Sequence, residues 1–149
     1  MKRSMIVMIF LSSLYGEYYK QDNRVIEVAT AFIWQDEAYS QSELDAYSAG
    51  DSVDKVQNFE GALEYCEALV LDGYSDWRLP NFTELYLLAE RNVSQPSIDA
   101  TFDNTPTGKY WSSTTSADQP TQGWVVDFLH GNSELLDKSS SAYVRCIRN

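Results

Sequence analysis

Two cysteines, Cys66 and Cys146, constrain this chain more than any other residues, because what they do depends on the compartment the chain enters. The amino terminus reads Met1, Lys2, Arg3, then an apolar run from Met5 to Leu11, then Ser12, Ser13, Leu14, Tyr15 and Gly16. Charge, then apolar residues, then small ones is the order of a secretory signal. Residues 1–16 are therefore expected to be a signal peptide and 17–149 a single domain, exported to a periplasm or beyond the cell. Leu14 and Gly16 match a small-x-small cleavage site only loosely, so the boundary and cleavage stay open. An uncleaved anchor or a buried first strand are the alternatives. The run falls short of the roughly 20 apolar residues that span a bilayer, and no Cys follows it to carry a lipid. In an oxidising compartment two cysteines allow one intramolecular bridge; two unrelated buried thiols are the other reading.

Local patterns say how each cysteine is presented. Asn58 can cap a helix whose apolar positions Phe59, Ala62, Leu63, Cys66, Leu69 and Val70 recur at three-and-four spacing, so Cys66 faces a core; Asp72-Gly73 would end it. A second helix is expected from Asn81, with Glu84 as its capping-box partner and Leu85, Leu88 and Ala89 along one face, stopping near Asn92. Residues from Ala142 to Ile147 alternate. Val144 and Cys146 share one face and Tyr143, Arg145 and Ile147 the other, so Cys146 also points inward.

The remaining chain reads as strands and loops. Val25, Ile26, Val28, Phe32, Ile33 and Trp34 predict one or two strands between Tyr18 and Asp36, and Trp124 to Leu129 alternates before a Gly131-Asn132 turn into Leu135-Leu136. Residues 39–56 read as a long polar loop whose acids Glu43, Asp45, Asp51 and Asp54 are simply solvated. Residues 93–122 read as a structured loop region containing a short strand around Tyr110-Trp111. A hydrophobic content of 44% over 149 residues supports one core. The net charge of −11, more negative still without Lys2 and Arg3, repels phosphate backbones and anionic headgroups, so nucleic acid is not an expected partner.

The stretch from Asn58 onward resembles the C-terminal domain family of the Legionella collagen-like adhesin. The likeness is carried by Tyr65-Cys66, Gly73 through Asn81, Glu84-Leu85, Ile98-Asp99, Phe102, Tyr110 through Thr114, Trp124 through Phe128, Gly131 and Tyr143 through Arg148, with Trp34-Gln35-Asp36 upstream. The resemblance implies an α+β, C-type-lectin-like fold: two helices on a small mixed or antiparallel sheet, chain ends close together, and a long loop region on one side. It also implies a disulfide from the first helix to the last strand. No Gly-X-Y stretch is present, so the namesake's collagen-like stalk is not implied, and the negative charge opposes its association with sulfated glycans.

Candidate chemistry is sparse. Asp76-Trp77-Arg78-Leu79-Pro80 is expected to be a structural turn that buries Trp77 and Leu79 while Arg78 meets a carboxylate. Arg78-Leu79-Pro80 before Glu84 is also similar to formylglycine-generating enzymes, which use reactive cysteines; inward-facing, bridged cysteines would be inert. Asp118-Gln119-Pro120 with Asp127 resembles the calcium and sugar site of C-type lectins, but Thr121 replaces the required acid and no Trp-Asn-Asp follows. Asp127 is explained by capping nearby backbone or pairing with Arg145 or Arg148. The lone His130 beside a turn supports neither a zinc site nor a triad.

The expected function is a non-catalytic exported binding or adhesion module that recognises a carbohydrate or a cell-surface protein through its long loop region. The candidate ligand-binding residues are Tyr110, Asp118, Gln119 and Gln122. No catalytic residue, metal or cofactor is expected, with calcium the one cofactor left open. A structural subunit of an envelope or secreted assembly, or an enzyme of another type, are the alternatives, and the oligomeric state is not readable.

Overall fold

Short apolar segments separated by polar turns form a meander at the start of the domain. A computed structural model describes residues 17–149; the expected signal segment 1–16 lies outside the described residues. Strands β1 (Tyr18–Gln21), β2 (Arg24–Glu27) and β3 (Ile33–Gln35) pair antiparallel, and the final strand β9 (Ile147–Arg148) returns to pair with β3 through Trp34 and Ile147. Three strands thus stand where one or two were expected, and the two ends of the domain share one sheet. A second sheet has the order β4 (Val56–Gln57), β8 (Ala142–Tyr143), β5 (Lys109–Thr115), β6 (Gln122–Asp127), β7 (Asn132–Asp137). Its β5–β8 pair is parallel and the rest antiparallel. The architecture is α+β with mixed and antiparallel sheets, as expected.

Among the described residues three helices, not two, accompany the sheets. Helix α1 (Gln41–Ala49) lies inside the stretch read as a loop. Its apolar residues are too few to print a stripe, but its ends carry the signals: Ser40 and Glu43 form a capping box, and Gly50 closes it in the left-handed conformation. Glu43 is not a solvated acid. It is buried, accepts from the backbone N–H groups of Ser40 (2.7 Å) and Lys55 (2.9 Å), and pairs with the Lys55 ammonium at 3.1 Å. Burial alone would raise its pKa; these bonds outweigh burial and hold it below the ordinary value.

Helix α2 (Phe59–Ala68) has the expected Asn58 cap and buries Phe59, Ala62 and Cys66, but it ends at Ala68. Leu69 leaves helical geometry and Val70 is exposed. Asp72 and Gly73 instead make a tight left-handed turn that lets Leu71 and Tyr74 bond each other. Helix α3 (Phe82–Leu88) carries the expected Asn81–Glu84 capping box and ends before Asn92.

The last segment stitches two hydrophobic clusters together. Ala142, Val144 and Cys146 pack with Phe59, Ala62, Cys66, Trp77, Leu79 and Trp111. Tyr143 and Ile147, of opposite parity, pack with Val25, Trp34, Leu85, Tyr110 and Phe128. The Cys66–Cys146 disulfide lies in the first cluster with its Cα atoms 5.6 Å apart, joining α2 to the residue that enters β9.

The Asp76–Pro80 turn is anchored to the same segment. Trp77, Leu79 and Pro80 are buried, while Arg78 and Ile147 exchange two backbone hydrogen bonds. The Arg78 guanidinium donates to both Glu84 oxygens at 2.8 and 2.7 Å, and Arg148 donates to Asp76. The Arg78 bonds are the main reason the Glu84 carboxyl lies below its ordinary range.

The packing of these elements sets two expected outcomes. The disulfide closes an 80-residue separation, for which the chain-entropy account gives about 4 to 5 kcal/mol. Cys66→Ala/Cys146→Ala should therefore unfold at clearly lower urea than the oxidised protein; coincident unfolding curves would contradict the reading. Glu43 and Glu84 both have depressed pKa values, so their contribution is present above the unfolded carboxylate value of about 4.3 and is lost as pH falls through the folded one. Glu84→Gln should melt below the parent protein at neutral pH, and the gap should close on acidification. A gap independent of pH would show that the charge does not matter.

Candidate functional site

The polar stretch between α3 and β5 buries two strongly apolar side chains, Ile98 and Phe102. Their insertion fixes the path of the backbone around them. Ser97 is fully buried, donating its N–H to Phe128 O (2.7 Å) and its hydroxyl to Leu129 O (3.2 Å), and Gln95 N also bonds Leu129 O. Asp99 closes a local turn, its Oδ1 accepting from Thr101 N at 2.8 Å and its carbonyl from Phe102 N at 3.0 Å.

The following residues are held by a buried ion pair. Asp36 and Arg145 have side chains 0% and 1% exposed and stand 3.4 Å apart. Asp36 accepts from the backbone N–H groups of Asp103 (3.1 Å) and Asn104 (3.2 Å), and its carbonyl accepts from the Asn104 side chain at 2.9 Å. Arg145 donates to Asn104 O (2.7 Å) and Thr105 Oγ1 (2.9 Å), with its guanidinium 4.9 Å from the Phe102 ring centre. Lys20 bonds Asp36 and reaches Asp103 at 3.1 Å. Burial opposes its charge, but the two carboxylates outweigh burial and raise its pKa. Gly108 completes the approach to β5, since a Cβ there would stand 2.6 Å from the Tyr47 hydroxyl.

The stretch so pinned forms one side of a groove of about 430 Å³, lined by Val93, Pro96, Ile98 and Phe102 and by the carboxylates Glu90, Asp99 and Asp103. Two smaller clefts continue it. One, of about 290 Å³, shares Glu90 and Asp99 and adds Tyr18, Leu87 and Arg91; the other, of about 270 Å³, shares Asp103 and Thr105 and adds Tyr39 and Leu44. The three follow residues 87–106. An apolar floor with a few carboxylates is chemistry for binding, and the network of backbone hydrogen bonds beneath it supplies rigidity.

Three of the residues expected to bind ligand fall elsewhere. Asp118 and Gln119 are exposed in the hairpin between β5 and β6, where Gln122, half-buried at the start of β6, donates its N–H to Gln119 O. The hairpin follows the far end of β5, a seven-residue strand about 20 Å long that begins just after the groove stretch. None of the clefts described above is lined by Asp118, Gln119 or Gln122. Tyr110 is corrected outright: it is a core residue of β5, fully buried, its hydroxyl donating to Pro106 O at 2.8 Å, so it displays nothing to a ligand. The expected loop region is thus two surfaces at opposite ends of a central strand. Asp127 caps backbone, accepting from Leu129 N at 2.9 Å, while Arg145 and Arg148 pair with Asp36 and Asp76.

Asp36→Asn should cost about 3 to 5 kcal/mol in denaturant unfolding, because it leaves the Arg145 charge buried without its counter-charge. Lys20→Met, which removes a cation that is 26% exposed, should cost much less. Equal losses would contradict the assigned role of the buried pair.

Sequence comparison places this span in one family. The model of the Lcl C-terminal domain matches residues 23–148, a span that takes in β2 through β9, the disulfide, the ion pair and the whole groove. No curated protein matches the chain. With nearly its full length matched, the chain belongs to the Lcl C-terminal domain family.

Proposed function

We propose that this domain is a non-catalytic binding module of an exported protein, and that it takes a carbohydrate or a surface protein in the groove along residues 87–106. The observation that carries the reading is the groove itself: apolar side chains and carboxylates along a stretch whose 103–105 end is held in place by Asp36 and Arg145. A surface ordered before its ligand arrives loses little entropy on binding. Membership of an adhesin-associated family and a disulfide in the core support the exported setting. Among the described residues, no helix is long and apolar enough to cross a membrane.

The same observations support binding without catalysis or cofactor. Both cysteines are joined to each other, so the thiol chemistry of the similar enzymes is not available to them. Recognition in the groove needs only its side chains, and we propose that it proceeds without calcium.

The test is a screen of the purified protein against a glycan array and a panel of surface proteins, with and without a calcium chelator. Val93 is about half exposed at the groove, so Val93→Trp obstructs it without entering the core. Binding should survive chelation, be lost in Val93→Trp and persist in Asp118→Ala/Gln119→Ala. The opposite pattern would move the site to the hairpin, and no ligand in either panel would overturn the proposal.

A further inference from the structure

We propose that the occupant of the groove is a lysine or arginine side chain presented by an extended segment of a partner protein. This deepens the binding reading above and rests on it. The groove offers two kinds of surface side by side. Val93, Pro96, Ile98 and Phe102 provide an apolar wall, and Glu90 and Asp99 line both this groove and the adjoining cleft, placing two carboxylates where the two meet. Tyr18 belongs to the same junction. Its ring meets Phe102 edge-on with centroids 5.4 Å apart, and its phenol is pushed up by burial, then by the carboxylates Glu27, Asp99 and Glu90.

These carboxylates are free to act on a ligand. Among the described residues neither Glu90 nor Asp99 forms an ion pair, whereas Asp103 is already joined to Lys20. Asp99 uses one oxygen on Thr101 N. Arg91, the nearest cation in sequence, is engaged elsewhere: its guanidinium lies 3.8 Å from the Tyr86 ring centre and donates to the carbonyls of Ala89 and Tyr86. Arg145, beside Phe102, is balanced by Asp36.

An unpaired pair of carboxylates against apolar and aromatic surface matches a long cationic side chain. The methylene stem lies along the apolar wall, and the head meets the carboxylates and the Tyr18 ring. A net charge of −11 draws basic partners and repels anionic ones. Three clefts in succession along residues 87–106 fit an extended chain better than a compact small molecule.

The experiment is an NMR titration of the purified protein with capped heptapeptides of Gly, Ser and Ala that carry Lys, Arg, norleucine or Glu at the centre. The Lys and Arg peptides should move the amide resonances of Ile98, Asp99 and Phe102 and bind about tenfold more tightly than norleucine, an advantage that shrinks with added salt. Glu90→Gln/Asp99→Asn should erase that advantage; the side-chain amide oxygen that Asp99→Asn introduces can still accept from Thr101 N, so the loop is kept. Glu64→Gln/Glu67→Gln, which removes the same charge from exposed positions on α2, should change nothing. Equal binding of Lys and norleucine, no binding by any peptide, or full binding by Glu90→Gln/Asp99→Asn would overturn the inference. A glycan or acidic peptide that is lost in Val93→Trp but indifferent to Glu90→Gln/Asp99→Asn would overturn it while leaving the binding reading intact. A ligand indifferent to Val93→Trp would remove both.

Discussion

Asp36 has no exposed side-chain surface, yet it carries a charge, and much of the groove depends on how that charge is satisfied. Burying a carboxylate costs several kcal/mol unless its lone pairs are occupied and a counter-charge is close. Here two backbone N–H groups, one ammonium and one guanidinium surround it. The N–H groups belong to Asp103 and Asn104, the guanidinium to the segment between β8 and β9, and the carboxylate follows β3. Three parts of the chain that are remote in sequence must therefore meet before the groove has its far wall. Such a constraint orders a loop that has few side chains of its own to bury.

The disulfide serves the same end from the opposite side. Residues 142–147 run between two hydrophobic clusters, and Cys66 clamps the face of that segment that looks away from the ion pair. Arg145 is the immediate neighbour of Cys146, so the covalent tie to α2 also fixes where the guanidinium starts. Arg78, through its two backbone bonds to Ile147, adds a third hold on the segment. The distinctive Asp76–Pro80 run is thereby explained as structure.

Features encoded over a few residues were legible. The caps at Asn58 and Asn81, the inward face of Cys66 and the alternation of 142–147 each reflect a local period or a local hydrogen bond, and each stands in the structure. Helix α1 was missed because its evidence lies in the Ser40–Glu43 cap and Gly50 rather than in an apolar stripe. The stripe of α2 misled in the other direction, running on through Leu69 and Val70 after the backbone had left the helix. β5 was under-read because Ser112, Ser113, Thr114 and Thr115 look like loop residues. As a central strand it buries Tyr110, Trp111 and Ser112 in succession, with the Ser112 hydroxyl satisfied by Trp124 O. The groove was the least legible feature. Ile98-Asp99, Phe102 and Trp34-Gln35-Asp36 were visible as motifs, but the contact of Asp36 with residues 103–104 spans most of the domain and leaves no local period to read.

Native-state hydrogen exchange of the unmodified protein tests that contact directly. The amides of Asp103 and Asn104 sit in a stretch without regular secondary structure, where solvent-facing amides would exchange quickly. If they donate to a buried carboxylate that the core holds in place, their protection should approach that of core amides such as Val125 and Val126. Exchange at the rate of the exposed hairpin residues Asp118 and Gln119 would mean that the buried pair does not hold the groove, and the account of the site would fail.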